Sequence, residues 1–281
     1  MSSAAFKFVQ ELAAELSSGT VDLPAFPRVF AQVCRALDDP KNTNEQTAKI
    51  VSAEPALAAR LLTLSNSVTF TQIGKPISEL RSAVTRLGSN SIRAAASAFA
   101  VAQVKRQPSL ASIQVGLEEL WTRSTYLAAI CHVIARNCKV NADEALLTGL
   151  LHGIGSLYLL VRTVAHPELV ASEGALAELT LEWNAPITKS ILENWSFPDD
   201  IVQATADQED LERKHFGAPD LTDVLICAKT LVRCDLNRTC VEEQYARIPA
   251  FLKVGLAIDQ YISVIQHAQL QIAAMQEALR A

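Results

Sequence analysis

Aromatic residues are scarce in this chain of 281 residues, and its basic residues form no continuous run. Phe, Trp and Tyr make up 6% of the sequence, although hydrophobic residues make up 49%. Abundant Ala and Leu with few aromatics suit closely packed helices. The formal net charge of -5 argues against a protein that binds nucleic acid by neutralising phosphates, because such proteins usually have a basic face. We therefore do not expect direct nucleic-acid binding.

Long uninterrupted hydrophobic segments are also missing. The longest apolar stretch, from Leu146 to Val161, is broken by His152 and three glycines, which is typical of a buried helix rather than a membrane span. The N-terminus lacks the apolar centre of a secretory signal, and Glu11 and Glu15 follow at once. These absences predict a soluble, cytoplasmic protein that does not associate with a membrane.

The six cysteines include no C-x-x-C pair and no zinc-ribbon spacing. Cys131 and Cys138 lie seven residues apart, as do Cys227 and Cys234, and this spacing places each pair on one face of a helix. We expect all six to be free thiols that pack as small hydrophobic side chains, with redox sensing as the alternative. Neither glycine-rich phosphate-binding motif, of the P-loop or the dinucleotide type, occurs in the chain.

Almost every segment repeats its apolar residues with the 3.6-residue period of an α-helix, and no alternating stretch is long enough for a sheet. We predict an all-α protein with one helical lobe over residues 1–117, a second over residues 118–240 and an amphipathic C-terminal segment over residues 241–281. The predicted helices lie near Phe6–Leu16, Pro27–Leu37, Thr43–Ser52, Pro55–Asn66, Ser78–Leu87, Ser89–Val104, Ser112–Cys138, Asp143–Val161, Pro167–Trp183, Pro186–Trp195, Pro198–Leu211 and Leu221–Cys234.

Helix-start signals support these boundaries. Pro55, Pro167, Pro186 and Pro198 each precede an apolar-periodic run, as prolines in the first turn of a helix do. Thr43 is followed three residues later by Gln46, which is the pattern of a capping box. We therefore expect helices to begin at these positions.

The C-terminal segment carries a heptad pattern. Its two sets of apolar positions are Ile258, Ile265, Ile272 and Leu279, and, three residues later in each heptad, Tyr261, Ala268 and Met275. Either this stripe packs on the chain's own bundle, or it pairs with a second copy to form a homodimer. Because three heptads are short for an independent coiled coil, we favour packing on the bundle.

One segment points to a specific ancestry. Residues 150–157 read L-L-H-G-I-G-S-L. Other segments with marked patterns are L-P-A-F-P at 23–27, I-V-S-A-E-P-A-L at 50–57, L-L-T-L-S-N-S at 61–67 and I-S-E-L-R-S-A-V-T-R-L-G at 77–88. Together these blocks resemble the HDOD family, the HD-related output domains of bacterial signalling proteins, from about residue 23 to about residue 233. The resemblance implies that the second lobe is an HD-like helical bundle.

In metal-dependent HD phosphohydrolases, residues 150–157 would read L-L-H-D-I-G-K-L, and the His-Asp pair binds a divalent cation. Carrying over the family's usual ligands position by position places them on Arg123, His152, Gly153, Asn184, Asp207 (or its neighbour Gln208) and Lys229. Only His152 of the usual set remains. Hard divalent cations require several converging carboxylates or imidazoles. We therefore expect no catalytic metal, no cofactor and no phosphohydrolase activity.

The remaining side chains at these positions allow several roles. His152 is expected to be a hydrogen-bonded core residue, while Gly153, with Gly149 and Gly155, allows close helix packing. Arg123 needs a counter-ion in the cleft, and we favour an internal ion pair with Asp207. Alternatively, Arg123, Lys229 and Asn184 bind the phosphate or carboxylate of an anionic small ligand.

The favoured function is a non-enzymatic regulatory module that binds other signalling proteins. We expect these partners to act in trans, because the matched region and the tail account for the length of this sequence. The resemblance implies bacterial regulation. One alternative is a surviving metal-dependent phosphohydrolase that acts on a nucleotide or cyclic dinucleotide. The other is a regulator that contacts nucleic acid directly.

Overall fold

The computed structural model describes residues 3–18, 21, 27–67, 76–167, 169, 174–195, 197–267 and 269–280, and within these ranges every regular element is a helix. The predicted all-α class is therefore confirmed. A short 3-10 helix covers Pro108–Ile113. The α-helices are α1 (Ser3–Ser18), α2 (Arg28–Asp38), α3 (Asn44–Ser52), α4 (Pro55–Ser65), α5 (Leu80–Lys105), α6 (Gln114–Cys138), α7 (Ala142–Leu151), α8 (Ile154–Arg162), α9 (Ala175–Asn194), α10 (Asp199–Ala206), α11 (Leu221–Arg233), α12 (Arg238–Tyr245), α13 (Pro249–Val254), α14 (Ile258–His267) and α15 (Gln269–Arg280).

Two local predictions are confirmed in detail. The capping box at the start of α3 is formed, with the Gln46 amide N–H donating to the Thr43 hydroxyl at 3.2 Å and the Thr43 N–H donating to the Gln46 side chain at 2.8 Å. The two helices predicted on either side of Gly88 are the halves of α5, which kinks there because Gly88 has a φ of 71°.

Other predicted boundaries are wrong. The helix predicted from Asp143 to Val161 is two helices, because the chain breaks at His152 and Gly153. Pro186 does not start a helix but lies inside α9. This proline is tolerated because Pro186 and Glu182, whose carbonyl loses its bonding partner, are both exposed, so that water can take the partner's place.

The ends of several helices also differ from expectation. The helix predicted at Pro167–Trp183 begins at Ala175, and residues 168 and 170–173 lie outside the described residues. Helix α10 ends at Ala206 instead of Leu211. Residues 23–26 of the L-P-A-F-P block also lie outside the described residues.

Two glycines lie where the backbones of neighbouring helices come close together. A Cβ on Gly149 would lie 2.7 Å from the Cα of Ala128 on α6, and a Cβ on Gly155 would lie 2.3 Å from the carbonyl oxygen of Asn184 on α9. The predicted packing role of these two glycines is confirmed. Gly153 is different, since its nearest neighbour would be the Ser124 hydroxyl at 3.4 Å, an ordinary contact.

The buried hydrophobic residues form one continuous core that includes both predicted lobes. Helix α1 illustrates this continuity, because Glu15 accepts hydrogen bonds from Arg162 at 2.9 Å and from the Tyr158 hydroxyl, both on α8. The N-terminal helix thus packs on the second predicted lobe. The division at residue 117 stays a prediction.

The described part of the C-terminal stripe packs on the chain's own helices. Tyr261, Ile265 and Ile272 are buried, and α15 lies against α4, α5 and α6. Ala268 and the side chains of Met275 and Leu279 lie outside the described residues. In the described part of the stripe, the apolar face that a dimer would use is therefore covered by the same chain.

The expectation of six free thiols is wrong for one pair. Cys234 and Cys240 form a disulfide, whereas the other four cysteines are buried free thiols. The predicted shared helical face does not extend to Cys234, because α11 ends at Arg233. The turn that follows brings Cys240 beside Cys234, with a Cα–Cα distance of 5.6 Å. The disulfide ties the end of α11 to α12.

Within the described residues, one stretch is long and apolar enough to cross a membrane, Ala142–Arg162. However, 78% of its apolar window is buried inside the protein, and the stretch is interrupted between α7 and α8. This is the pattern of a pair of core helices.

Candidate functional site

A cleft of about 720 Å³ lies among α6, α8, α9 and α11. Side chains from α6 and α11 supply its cationic groups, and α9 supplies much of its apolar lining. Its lining residues are Leu120, Arg123, His152, Gly153, Ser156, Gly174, Leu176, Ala177, Thr180, Leu181, Asn184, Glu209, Lys229 and Arg233. Five of the six predicted positions therefore share one cleft: Arg123, His152, Gly153, Asn184 and Lys229.

Asn184 fixes the turn between α7 and α8. Its side-chain N–H donates to the His152 carbonyl at 3.0 Å, and its side-chain oxygen accepts from both the backbone N–H and the hydroxyl of Ser156 at 2.9 Å. The amide is buried, so these bonds replace the ones that water would make. Asn184 thus acts as a clamp for the backbone of the turn.

His152 is held as a neutral side chain. Its Nδ1 lies 2.7 Å from the Gly149 carbonyl and must donate to it, which leaves Nε2 as the unprotonated nitrogen. Burial, followed by the charge of Lys229, lowers the pKa of His152 to about 3. The expected role as a hydrogen-bonded core histidine is confirmed, although the ring also lines the cleft.

Lys229 is tied to the two residues that follow Asp207. Its Nζ donates to the Gln208 side chain at 2.8 Å and forms an ion pair with Glu209. Gln208 is fully buried and also donates to the His152 carbonyl at 3.0 Å. Burial lowers the pKa of Lys229, and the nearby Arg123 adds to that effect. Of the Asp207–Gln208 pair, it is therefore Gln208 that contacts the cleft turn.

The favoured ion pair between Arg123 and Asp207 is wrong. Asp207 instead lies 3.8 Å from Arg213, whose guanidinium also pairs with Asp220 at 2.7 Å. Asp207 ends α10, and its side chain joins this separate network rather than the cleft. Arg123 is exposed, and within the described residues it has no ion-pair partner.

The donor set of the cleft does not fit a catalytic divalent cation. Of the carried-over positions, His152 offers one nitrogen, Gly153 offers no side chain, and Asn184 has both ends of its amide engaged. Lys229 and Arg123 carry positive charge. Glu209, a carboxylate of the lining, is paired with Lys229. Because such an ion needs several anionic or imidazole ligands, the described residues do not form its coordination shell.

Outside the cleft, His215, Asp220 and Asp223 place three ligand-type atoms within 4.8 Å of one another. These groups are already used, since His215 lies 2.8 Å from Asp223, while Asp220 and Asp223 form a capping box for α11 and pair with Arg213. This cluster is therefore a structural ion-pair network at the start of α11.

Sequence reasoning missed Glu209, Arg233 and Ser156 as cleft residues. Arg233 lies four residues after Lys229, so helical spacing alone would have placed both on one face of α11. The position of Glu209 in the cleft depends on the turn after α10, and no sequence pattern predicted that turn.

Comparison with known families identifies the chain. The HDOD domain family matches residues 23–211. This match covers most of the chain, and the protein belongs to the HDOD family.

Solved structures of similar fold include a protein of Shewanella amazonensis SB2B, provisionally named a metal-dependent phosphohydrolase, with a TM-score of 0.76 and 24% identity over 99% of this chain and 100% of that one. An HDOD protein of unknown function from Geobacter sulfurreducens has a TM-score of 0.64 and 21% identity, covering 98% of each chain. At these identities, the likeness establishes the fold alone.

A curated relative, an uncharacterised protein of Treponema pallidum (strain Nichols), is 23% identical over 262 residues. The match covers 86% of this chain and 47% of the relative. The chain thus spans about half the length of the curated relative that it matches.

Proposed function

We propose that this protein is a non-enzymatic regulatory module that acts by binding, with other signalling proteins as its partners in trans. The observation that carries the proposal is the replacement of metal-binding side chains around His152 by Arg123, Gly153 and Lys229. A hydrolytic site of this class needs a metal ion to activate water. The positively charged side chains of this cleft would repel such an ion.

The buried contacts explain how the fold persists without catalysis. The turn at His152 is held by Asn184 and Gln208, both of which bond to its carbonyl. These two amides stand at or beside positions where the family's metal ligands are expected. Hydrogen bonding between protein groups thus supplies the order that a bound ion would otherwise give.

A metal-dependent phosphohydrolase is the second candidate. It is favoured by the Nε2 of His152, which has no protein partner among the described residues and is the type of nitrogen that binds transition metals. One imidazole beside an ammonium group is a weak ligand set, however, and so we favour the regulatory module.

The two candidates differ in metal content and turnover. We expect protein incubated with Mn²⁺ and then desalted to retain far less than one ion per chain, and to show no hydrolysis of bis(p-nitrophenyl) phosphate above buffer with metal. Elemental mass spectrometry measures the retained metal. Absorbance at about 400 nm, where the p-nitrophenolate product absorbs, measures the hydrolysis.

The matched variant is His152→Asn, because an asparagine amide can keep the bond to Gly149 while removing Nε2. Stoichiometric metal or turnover that is present in the parent and lost in this variant would establish the phosphohydrolase instead.

A further inference from the structure

The cleft carries more positive than negative charge. Among the described residues, the charged side chains that line it are Arg123, Lys229, Arg233 and the carboxylate Glu209, which gives these residues a formal excess of two positive charges at neutral pH. Glu209 is already paired with Lys229. An excess of this kind in a concave site attracts anions.

The two arginines are available to a ligand. Both Arg123 and Arg233 are exposed at the cleft, and within the described residues neither has an ion-pair or hydrogen-bond partner. They lie on different helices, α6 and α11, and both line the same cleft. A guanidinium offers paired N–H donors that match two oxygens of one phosphate or carboxylate.

The electrostatic surroundings of Lys229 also favour a bound anion. Burial is the main cause that lowers the pKa of Lys229, and the charges of Arg123 and Arg233 lower it further, against the opposing effect of Glu209. Both arginines therefore repel Lys229, and a bound anion would relieve that repulsion.

The cleft also has an apolar part. Leu176 and Leu181 of α9 and Leu120 of α6 line it, and Leu181 is 74% exposed despite its size. The volume of about 720 Å³ lies within the usual range for small-molecule sites, which combine an apolar lining with a few polar anchors. The site thus has room for an organic group beside the anion.

We propose that this cleft binds a small phosphate monoester with an apolar or aromatic organic group, its phosphate held by Arg123, Arg233 and Lys229. A dianionic phosphate matches the excess of two charges, whereas a carboxylate supplies one. The leucines contact the organic group, and Nε2 of His152 can accept a hydrogen bond from it. This inference rests on the proposed function, since a cleft used for binding needs a ligand.

Isothermal titration calorimetry of the whole chain with phenyl phosphate, inorganic phosphate and benzoate tests the proposal. We expect phenyl phosphate to bind more tightly than inorganic phosphate, because only the former reaches the leucines, and more tightly than benzoate, which carries less charge. No binding of phenyl phosphate at millimolar concentration, or equal affinity for benzoate, would overturn the proposal.

Three variants, each of which replaces one arginine with glutamine, test where the ligand binds. Arg123→Gln and Arg233→Gln should each weaken phenyl phosphate binding by about 10-fold to 100-fold, the usual value of a charge-assisted hydrogen bond. Arg136→Gln makes the same change at an exposed position of α6 outside the cleft lining and should leave affinity unchanged. Equal losses in all three variants, or no loss in the first two, would overturn the site. Metal retention is measured separately, so failure here leaves the proposed function standing.

Discussion

Replacing Gly155 with alanine is expected to destabilise the protein by about 3 kcal/mol or more, at the upper end of the cost of overpacking a core. The new Cβ would lie 2.3 Å from the carbonyl oxygen of Asn184 and 3.0 Å from its Cα. These are backbone atoms of α9, which cannot rotate away as a side chain would. Urea denaturation followed by circular dichroism measures the change in the free energy of unfolding.

Gly153→Ala is the matched control two residues earlier. Its Cβ would have no neighbour nearer than 3.4 Å, and Gly153 has an ordinary negative φ of -104°. We expect its stability to remain within about 1 kcal/mol of the parent. Similar losses in the two variants would mean that α8 and α9 do not approach as closely as described.

Lowering the pH from 7 to 5 is expected to reduce the free energy of unfolding by about 4 kcal/mol through two buried histidines. Burial lowers the pKa of His132 to about 4 and that of His152 to about 3. In the unfolded chain a histidine titrates near 6.5, so at pH 5 the unfolded state binds protons that the folded state excludes, at about 2 kcal/mol for each residue.

Above the histidine pKa of the unfolded chain, the stability of the protein is not reduced by these two residues. As the pH falls from that value towards the lower pKa values of the folded state, the free energy of unfolding decreases progressively. The variants His132→Asn and His152→Asn can keep the Nδ1 bonds to Ala142 and Gly149 while removing the titration. Each should remove about half of the pH-dependent loss in urea denaturation. A double variant with the same pH dependence as the parent would show that neither histidine is buried in its neutral form.

The helical architecture was predictable because apolar periodicity and capping act over a few residues. The Thr43–Gln46 box and the kink at Gly88 follow from local sequence. The break at His152 did not, because it depends on Asn184 and Gln208, which are distant in sequence. Pro186 was misjudged for a related reason, since its tolerance depends on exposure.

The family resemblance placed Arg123, His152, Gly153, Asn184 and Lys229, which the fold brings to one cleft. It could not supply their partners. Asp207 and Gln208 are neighbours, yet the end of α10 directs Asp207 to Arg213 and Gln208 to His152. A difference of one residue at a helix end is decided by tertiary packing.

The proposed function requires that the cleft beside His152 hold no catalytic cation, and anomalous diffraction would locate such an ion if it were bound. Crystals grown in millimolar Mn²⁺ and measured at the manganese absorption edge should show no anomalous peak within bonding distance of the His152 Nε2. A strong peak there, with additional protein ligands around it, would show that the cleft is a metal centre and that the proposed function is wrong.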